Sequence, residues 1–251
     1  MLVRLGGLAY RIVQRAMTFD VAQLMCLDAA CAQTIAVENL FSFRFLTARE
    51  VRRHSNDPAN EMSSSFAERM LCGRDLCYAA LKGHTLAGYA WLALGSIEAE
   101  QNRGRNPRSG VAASFRTDTA FVYKAFTRPE FRGRRLYSAC LVGALDELAS
   151  RGICKLLVTT DWTNHSALAS CHRAGCHDVG SLVRFGWPGA MFTLTPRGAA
   201  ALGIQFGGRA RPDVRSPNVE DGHVDDDDAV ADMVAVGDVA GTFYQPPAVL
   251  N

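Results

Sequence analysis

The sequence predicts an α/β domain, on three observations. A β-branched and aromatic run, TAFVYKAFT (119–127), passes through a short turn into an apolar helical pattern and then into a second buried run, ICKLLVTT (153–160). Strand, tight turn, helix and strand at this pitch describe a right-handed parallel crossover. Two apolar runs around Lys82-Gly83-His84, in LCYAALKGHTLAGYAWLAL, form a hairpin. The chain of 251 residues, 48% hydrophobic, is long enough for one core of about 200 residues plus extras.

Along the chain, a short run near Ala9 to Arg15 reads as a first strand with ragged ends, or as part of a peripheral amphipathic helix over residues 2–17. Arg4, Arg11 and Arg15 interrupt both a membrane span and a secretory apolar region. Phe19 to Gln33 carries Val21, Leu24, Met25 and Ala29 at helical spacing, with Thr18 as its N-cap. Thr47 opens a second helix, TAREVRRHS, and Ser63 to Leu71 a third. After the hairpin, residues 95–116 are polar and rich in Gly and Arg, and read as a long mobile loop. Leu141, Leu145 and Leu148 mark one face of the crossover helix, which Gly152 ends. Ser166 to Ala174 forms a short helix, and Val179 to Phe185 with Met191 to Leu194 a closing pair of strands. From residue 205 the periodicity gives way to Gly, Pro and acidic residues, so a domain of residues 1–204 precedes a disordered tail of residues 205–251. Within the tail, VADMVAVGDVA could dock on a partner or on the body.

Charge is divided unevenly. Residues 205–251 hold nine acidic side chains against Arg209, Arg211 and Arg215, so with a net charge of +2 the body is strongly basic and suits an anionic ligand. The eight cysteines include three equally spaced pairs, Cys26/Cys31, Cys72/Cys77 and Cys171/Cys176. They lie in apolar, regular segments without the tight knuckle turns of a structural zinc site, and read as buried reduced thiols rather than metal ligands. No metal is expected, and the location expected is the reducing cytoplasm.

The chemistry concentrates in RPEFRGRRLYSACL, residues 128–141. A strand feeding a helix through a short turn leaves backbone N–H groups unpaired at the helix start, where they and the helix dipole converge on one point. Anions bind there, and Arg132, Arg134 and Arg135 would add charge around a diphosphate. An arginine-rich solvated turn is the bland reading. A nucleic-acid strip is disfavoured, because the cluster is not repeated along a helix and has no aromatic stacking platform beside it.

TRPEFRGRRLYSACL, followed after ICKLLVTT by DWTNHSALASCHRAGC, resembles the two hallmark motifs of the GNAT superfamily of acyl-CoA-dependent N-acyltransferases. Thr127, Pro129, Glu130, Phe131, Arg132 and Gly133 fit the first motif; Asn164, Ser166, Ala167 and Gly175 fit the second; the likeness covers about residues 9–195. It implies a mixed, mostly antiparallel central sheet of about seven strands, with a splayed parallel pair and helices on both faces. Acetyl-CoA or another acyl-CoA would lie in the splay as co-substrate. The main chain of Phe126 and Thr127 would pair with its pantetheine arm, the turn from Arg132 through Gly133, Arg134, Arg135, Leu136 and Tyr137 to Ser138 would hold its diphosphate, and Asn164 would complete the site. Three departures stand out. Arg135 and Tyr137 occupy later glycine positions of the first motif, where helical dihedrals would keep their amides on the ligand, and Cys176 replaces an aromatic. Cys171 occupies the place where many members carry a tyrosine that protonates the departing thiolate.

For proton transfer the resemblance offers few candidates. Tyr123 stands where members often place a carboxylate acting through water, and its neutral phenol is a poor base. Asp161 is the preferred base and Glu98 an alternative, while Tyr123 or Cys171 would protonate the thiolate unless they are a core tyrosine and a buried thiol. His165 and His172 read as surface residues. Strand alternation puts Lys124 on the face opposite Tyr123, as a snorkelling side chain or a substrate contact. The expected function is transfer of an acetyl or longer acyl group from acyl-CoA to a primary amine or amino acid, without nucleic acid or a membrane span, and with a homodimer allowed. The alternatives are an acyl-carrier-protein-dependent N-acyl amino acid synthase and a non-catalytic acyl-CoA-binding module.

Overall fold

The computed structural model describes residues 18–103, 109–187 and 190–207. The run near Ala9 to Arg15, the VADMVAVGDVA patch and the tail beyond Gly207 lie outside the described residues. Strands β1 (Thr18–Asp28), β2 (Ser42–Phe45), β3 (Asp75–Lys82), β4 (Thr85–Leu94), β7 (Thr119–Thr127), β8 (Lys155–Asp161), β9 (His177–Trp187) and β10 (Ala190–Leu194) form one sheet in the order β10-β9-β1-β8-β7-β4-β3-β2. Of its pairings only β7 with β8 is parallel. This is the GNAT-like mixed sheet implied by the motifs, with eight strands rather than about seven.

Phe19–Gln33 is not a helix. It forms β1, the strand between β8 and β9, followed by a single 3-10 turn over Ala29–Cys31. Thr18, Asp20, Ala22 and Leu24 are buried in alternation, and Met25, Cys26 and Leu27 are buried in succession. A strand enclosed on both faces loses the strict two-residue period, and Val21, Leu24 and Met25 then satisfy a helical spacing by coincidence.

Helices cover both faces of the sheet. Alternation along β3 sends Tyr78 and Ala80 toward α3 (Leu136–Ala149), with Leu141, Leu145 and Leu148. Cys77, Ala79 and Leu81 go to the other face, where Val51 of α1 (Ala48–Ser55) and Ala67 of α2 (Ser65–Leu71) meet them. Each fully buried large apolar side chain contributes about 1.5–3 kcal/mol. Helix α4 (His165–Ala174) packs on α3 and α5 (Arg197–Ala201) on β9. Helix α4 stops at Gly175, whose φ of +101° and approach to the Cys31 carbonyl, 2.1 Å from where a Cβ would stand, leave no room for a side chain.

The region 95–116 is not one long loop. Ser96–Ile97 (β5) and Ala113–Ser114 (β6) pair with each other, and Gln205–Phe206 (β11) pairs with β6, forming a second, three-stranded sheet. Regular structure therefore runs two residues past the boundary placed at 204. Buried Arg184 of β9 holds the segment down: Nη1 donates to the carbonyls of Asn102 (2.7 Å) and Ser109 (2.6 Å), and Nη2 lies 3.3 Å from Asp20.

Helix α1 opens with a capping box. Thr47 Oγ1 accepts from the Glu50 amide (3.3 Å), and the Glu50 carboxylate accepts from the Thr47 amide (2.9 Å). Glu50 also accepts from both terminal nitrogens of Arg44, at 2.5 and 3.0 Å. The Arg44 hydrogen bond, with the cap bonds behind it, lowers Glu50 from 4.5 to about 2. A carboxylate lowered in the folded state adds stability that is present above pH 4.5 and is lost as the pH falls toward 2. Glu50→Gln should lower stability by about 1 kcal/mol at pH 7 and flatten the acid limb of a urea-midpoint profile across that window.

Among the described residues, no helix is long and apolar enough to cross a membrane.

Candidate functional site

The site begins with a miscount between strands. In the β4/β7 pairing Trp91 faces Lys124 and Leu92 faces Val122, which leaves Tyr123 as an extra residue on β7. Such a bulge bends the strand that carries it. β7 and β8 accordingly pair only from Thr119/Lys155 to Val122/Val158. Past that point β7 follows β4 to Thr127 and β8 follows β1 to Asp161, and a cleft of about 850 Å³ opens between them. Its volume is within the range of sites for small-molecule ligands, about 300–1,000 Å³.

The N-terminus of α3 faces this cleft. Its first turn bond runs from the Ala139 amide to the Arg135 carbonyl (3.1 Å), so the amides of Leu136, Tyr137 and Ser138 precede the intrahelical ladder. Leu136 and Tyr137 line the cleft with Arg132, Gly133, Arg134 and Arg135. Two residues of the turn have positive φ, Gly133 at +80° and Arg135 at +62°. Arg135 is therefore left-handed rather than helical, which for a residue with a Cβ costs about 1–2 kcal/mol. The arrangement turns amides and three guanidinium groups toward one concavity, an anion-binding geometry.

The arginines differ in what holds them. Arg134 Nη1 donates to both oxygens of Glu38, at 2.8 and 3.0 Å. Arg132 Nε donates to the Thr127 carbonyl at 3.3 Å. Arg128 lies behind the turn, bonded to Asn60 Oδ1 (2.8 Å) and paired with Asp57, and does not line the cleft.

Nine of the ten positions expected to bind the cofactor line this cleft: Phe126, Thr127, Asn164 and the six turn residues from Arg132 to Tyr137. Ser138 is the exception. Its side chain is fully buried and donates to the Ser170 carbonyl of α4 (2.8 Å), because the third residue of α3 already faces the neighbouring helix. Asn164 caps α4, accepting from the Ala167 amide at 3.2 Å.

The three residues expected to move protons are placed differently from one another. Cys171 is fully buried and outside the cleft lining, donating to the Tyr137 hydroxyl at 3.9 Å and hydrogen-bonded to Cys176. Asp161 is also outside the lining and accepts from the amide and hydroxyl of Thr163, at 2.7 and 2.5 Å, in the turn after β8. Tyr123 lines the cleft but donates to Asp75 Oδ2 at 2.7 Å; burial, then the Asp75 charge, push its phenol far up. Glu98 is engaged by Arg69 and Arg74, at 3.4 and 3.3 Å.

Lys124 is not on the opposite face from Tyr123. Both approach the Phe66 ring, Lys124 Nζ at 5.1 Å and the Tyr123 ring at 6.3 Å between centroids, because the bulge breaks the strand's alternation. Lys124 Nζ donates to the Glu61 carbonyl at 2.6 Å and sits 6.0 Å from the Tyr89 ring, and burial lowers its pKa.

Two features had no signal in the sequence. Buried Asp75 accepts from Arg69 Nε (2.5 Å) and Nη2 (3.1 Å) as well as from Tyr123, joining β3, α2 and β7 beside the cleft. Tyr137 lines the cleft, and its hydroxyl meets Cys171 of a different helix. Cys31 and Cys72 are exposed, so two of the three cysteine pairs hold one buried and one exposed thiol; among the described residues no cluster of His, Cys, Asp and Glu is arranged to hold a metal ion.

No protein-family model matches the chain, and no curated protein matches it. Solved structures resemble it at low identity. An acetyltransferase of the GNAT family from Colwellia psychrerythraea is 12% identical over 72% of this chain and 62% of its own, with a TM-score of 0.47. A tandem GNAT protein from the clavulanic acid biosynthesis pathway is 13% identical over 76% of this chain and 59% of its own, with a TM-score of 0.46. A GCN5-related N-acetyltransferase from Kribbella flavida is 13% identical over 73% of this chain and 65% of its own, with a TM-score of 0.45. The chain spans less than two thirds of the length of these three structures.

Proposed function

We propose that the protein is an N-acyltransferase that moves an acetyl or longer acyl group from acyl-CoA to an amine. The observation that carries this reading is the open N-terminus of α3, with its cationic turn, at one end of a cleft between two parallel strands that have parted. The residues fit the donor. The amides from Gly133 to Tyr137 and the guanidinium groups of Arg132, Arg134 and Arg135 would hold a diphosphate. The cleft-side edge of β7 at Phe126 and Thr127 would pair with the amides of the pantetheine arm as a strand would.

In the transfer, the neutral amine nitrogen attacks the thioester carbonyl, a C–N bond forms, and the C–S bond breaks. The amine loses one proton, and the thiolate takes one to leave as the free thiol of CoA. Tyr137 would supply that proton and be reprotonated through solvent by the proton the amine gives up. Burial, and then neighbouring Cys171, hold its phenol far above its ordinary range, so it is fully protonated, and it stands beside the position of the missing tyrosine. Cys171 keeps the hydroxyl in place and acts through it. Tyr137→Phe should lower kcat roughly 10²-fold with little change in KM for acyl-CoA.

A second reading, an acyl-CoA-binding module without turnover, draws support from one observation: no Asp, Glu or His is among the described residues that line the cleft. One experiment separates the two. Acetyl-CoA and longer acyl-CoAs are supplied with pooled amines, and free thiol is followed. Release that requires the amine supports the transferase; CoA binding without release under any pool supports the module.

A further inference from the structure

We propose that the acceptor is an amine that also carries an anionic group, of which an α-amino acid is the simplest case, and that Lys124 is the side chain that recognises that group. The inference rests on the reading of the cleft as an acyl-CoA site, and it narrows the acceptor class.

The first support is the charge inventory. The charged side chains among the described lining residues are Arg132, Arg134, Arg135, Arg173 and Lys124, and no carboxylate stands among them. Glu38, the partner of Arg134, does not line the cleft. With the turn arginines engaged by the donor's diphosphate, Lys124 is the cation that a polyamine or a lysine-rich peptide would still meet, and no carboxylate of the described lining would offset it. An acceptor with its own negative charge reverses the sign of that interaction.

The second support is position. The arginines that suit a diphosphate gather at the start of α3, whereas Lys124 is three residues back along β7 from Thr127, about 10 Å by strand rise. That is the bulge, where β7 and β8 part. A pantetheine arm running from the turn along the β7 edge presents its thioester there, so the acceptor's nitrogen has to arrive beside Lys124.

The third support is the way the ammonium is held. Lys124 Nζ is fixed by a carbonyl at 2.6 Å and by two aromatic rings, and among the described residues no carboxylate lies within ion-pair distance of it. The Glu61 carboxylate acts on it only from further off. The cation is pre-positioned without having its charge neutralised by contact, which is the arrangement that suits an incoming anion. A fixed positive charge beside the acceptor also disfavours the acceptor's ammonium form and so favours the neutral nucleophile in a cleft whose described lining offers no carboxylate base.

The test compares three acceptor pools at fixed acyl-CoA, following thiol release: the proteinogenic α-amino acids, the matching amino-acid amides, and putrescine with spermidine. The expected result is at least a tenfold higher kcat/KM for the acids than for the amides, with the polyamines lowest. Lys124→Met should bring the acid-to-amide ratio close to one, mainly through KM for the acid, and Lys124→Arg should restore part of it. CoA affinity by calorimetry and urea midpoints, measured on both variants, separate loss of recognition from loss of fold. Amides or polyamines used as well as acids by the wild type, or an unaltered acid-to-amide ratio in Lys124→Met, would overturn the proposal. A protein that binds CoA yet releases thiol with none of the pools refutes it while leaving the donor site standing. One that does not bind CoA defeats the transferase reading itself.

Discussion

Replacing Asp75 with alanine is expected to reduce the folding free energy by about 3–5 kcal/mol, the range for breaking a buried ion pair by removing one partner. The Asp75 side chain is completely enclosed, and it accepts two hydrogen bonds from Arg69, itself 18% exposed, and a third from Tyr123. The alanine leaves the phenol without its acceptor and the guanidinium with only its longer contact to Glu98, at 3.4 Å. A urea titration should show the midpoint falling sharply. Tyr123→Phe, which keeps the ion pair and removes a single hydrogen bond, should lose only about 1–1.5 kcal/mol. Equal midpoints for the wild type and Asp75→Ala would mean that the carboxylate is solvated rather than enclosed. Because Tyr123 is the bulged residue, Asp75→Ala should also disturb the mouth of the cleft, so CoA affinity should fall together with stability, whereas in Tyr123→Phe CoA affinity should change little.

The second large effect is expected at the cationic turn. Arg132→Ala and Arg135→Asn should each weaken CoA binding by about 1–3 kcal/mol, roughly 5- to 150-fold in Kd, and make it less sensitive to salt. Asparagine is chosen for position 135 because the backbone there is left-handed, a conformation asparagine tolerates, so charge is removed without added strain. Arg134→Ala should matter less, since ligand binding competes with its two hydrogen bonds to Glu38. Glu38→Gln should for the same reason tighten CoA. Calorimetry across a salt series checks all four, and an unaltered Kd in the Arg132/Arg135 double variant would move the diphosphate away from this turn.

The segment from β7 to α4 was legible in the sequence because its signals are local. A β-branched run, a Pro and Gly turn, a three-leucine face and a stop at Gly152 each fix their own stretch of chain. Helices α1 and α2 were legible for the same reason, Thr47 and Glu50 forming a cap within four residues. What escaped depends on partners far along the chain. β1 is a strand because β8 and β9 flank it, and the two-residue strands β5, β6 and β11 exist only through one another. The bulge at Tyr123 is a mismatch in residue count against β4, invisible from β7 alone, and it carried Lys124 to the wrong face in the sequence reading. The charged group around Asp75 draws on residues 69, 75 and 123, and no spacing rule links them.

The hydroxyl of Ser138, bonded to the Ser170 carbonyl, has a mechanical consequence. It ties the first turn of α3 to the middle of α4, which resists separation of those two helices. Accommodation of bulkier guests then falls to the opposite wall, where β7 leans on β4 and Phe66 of α2.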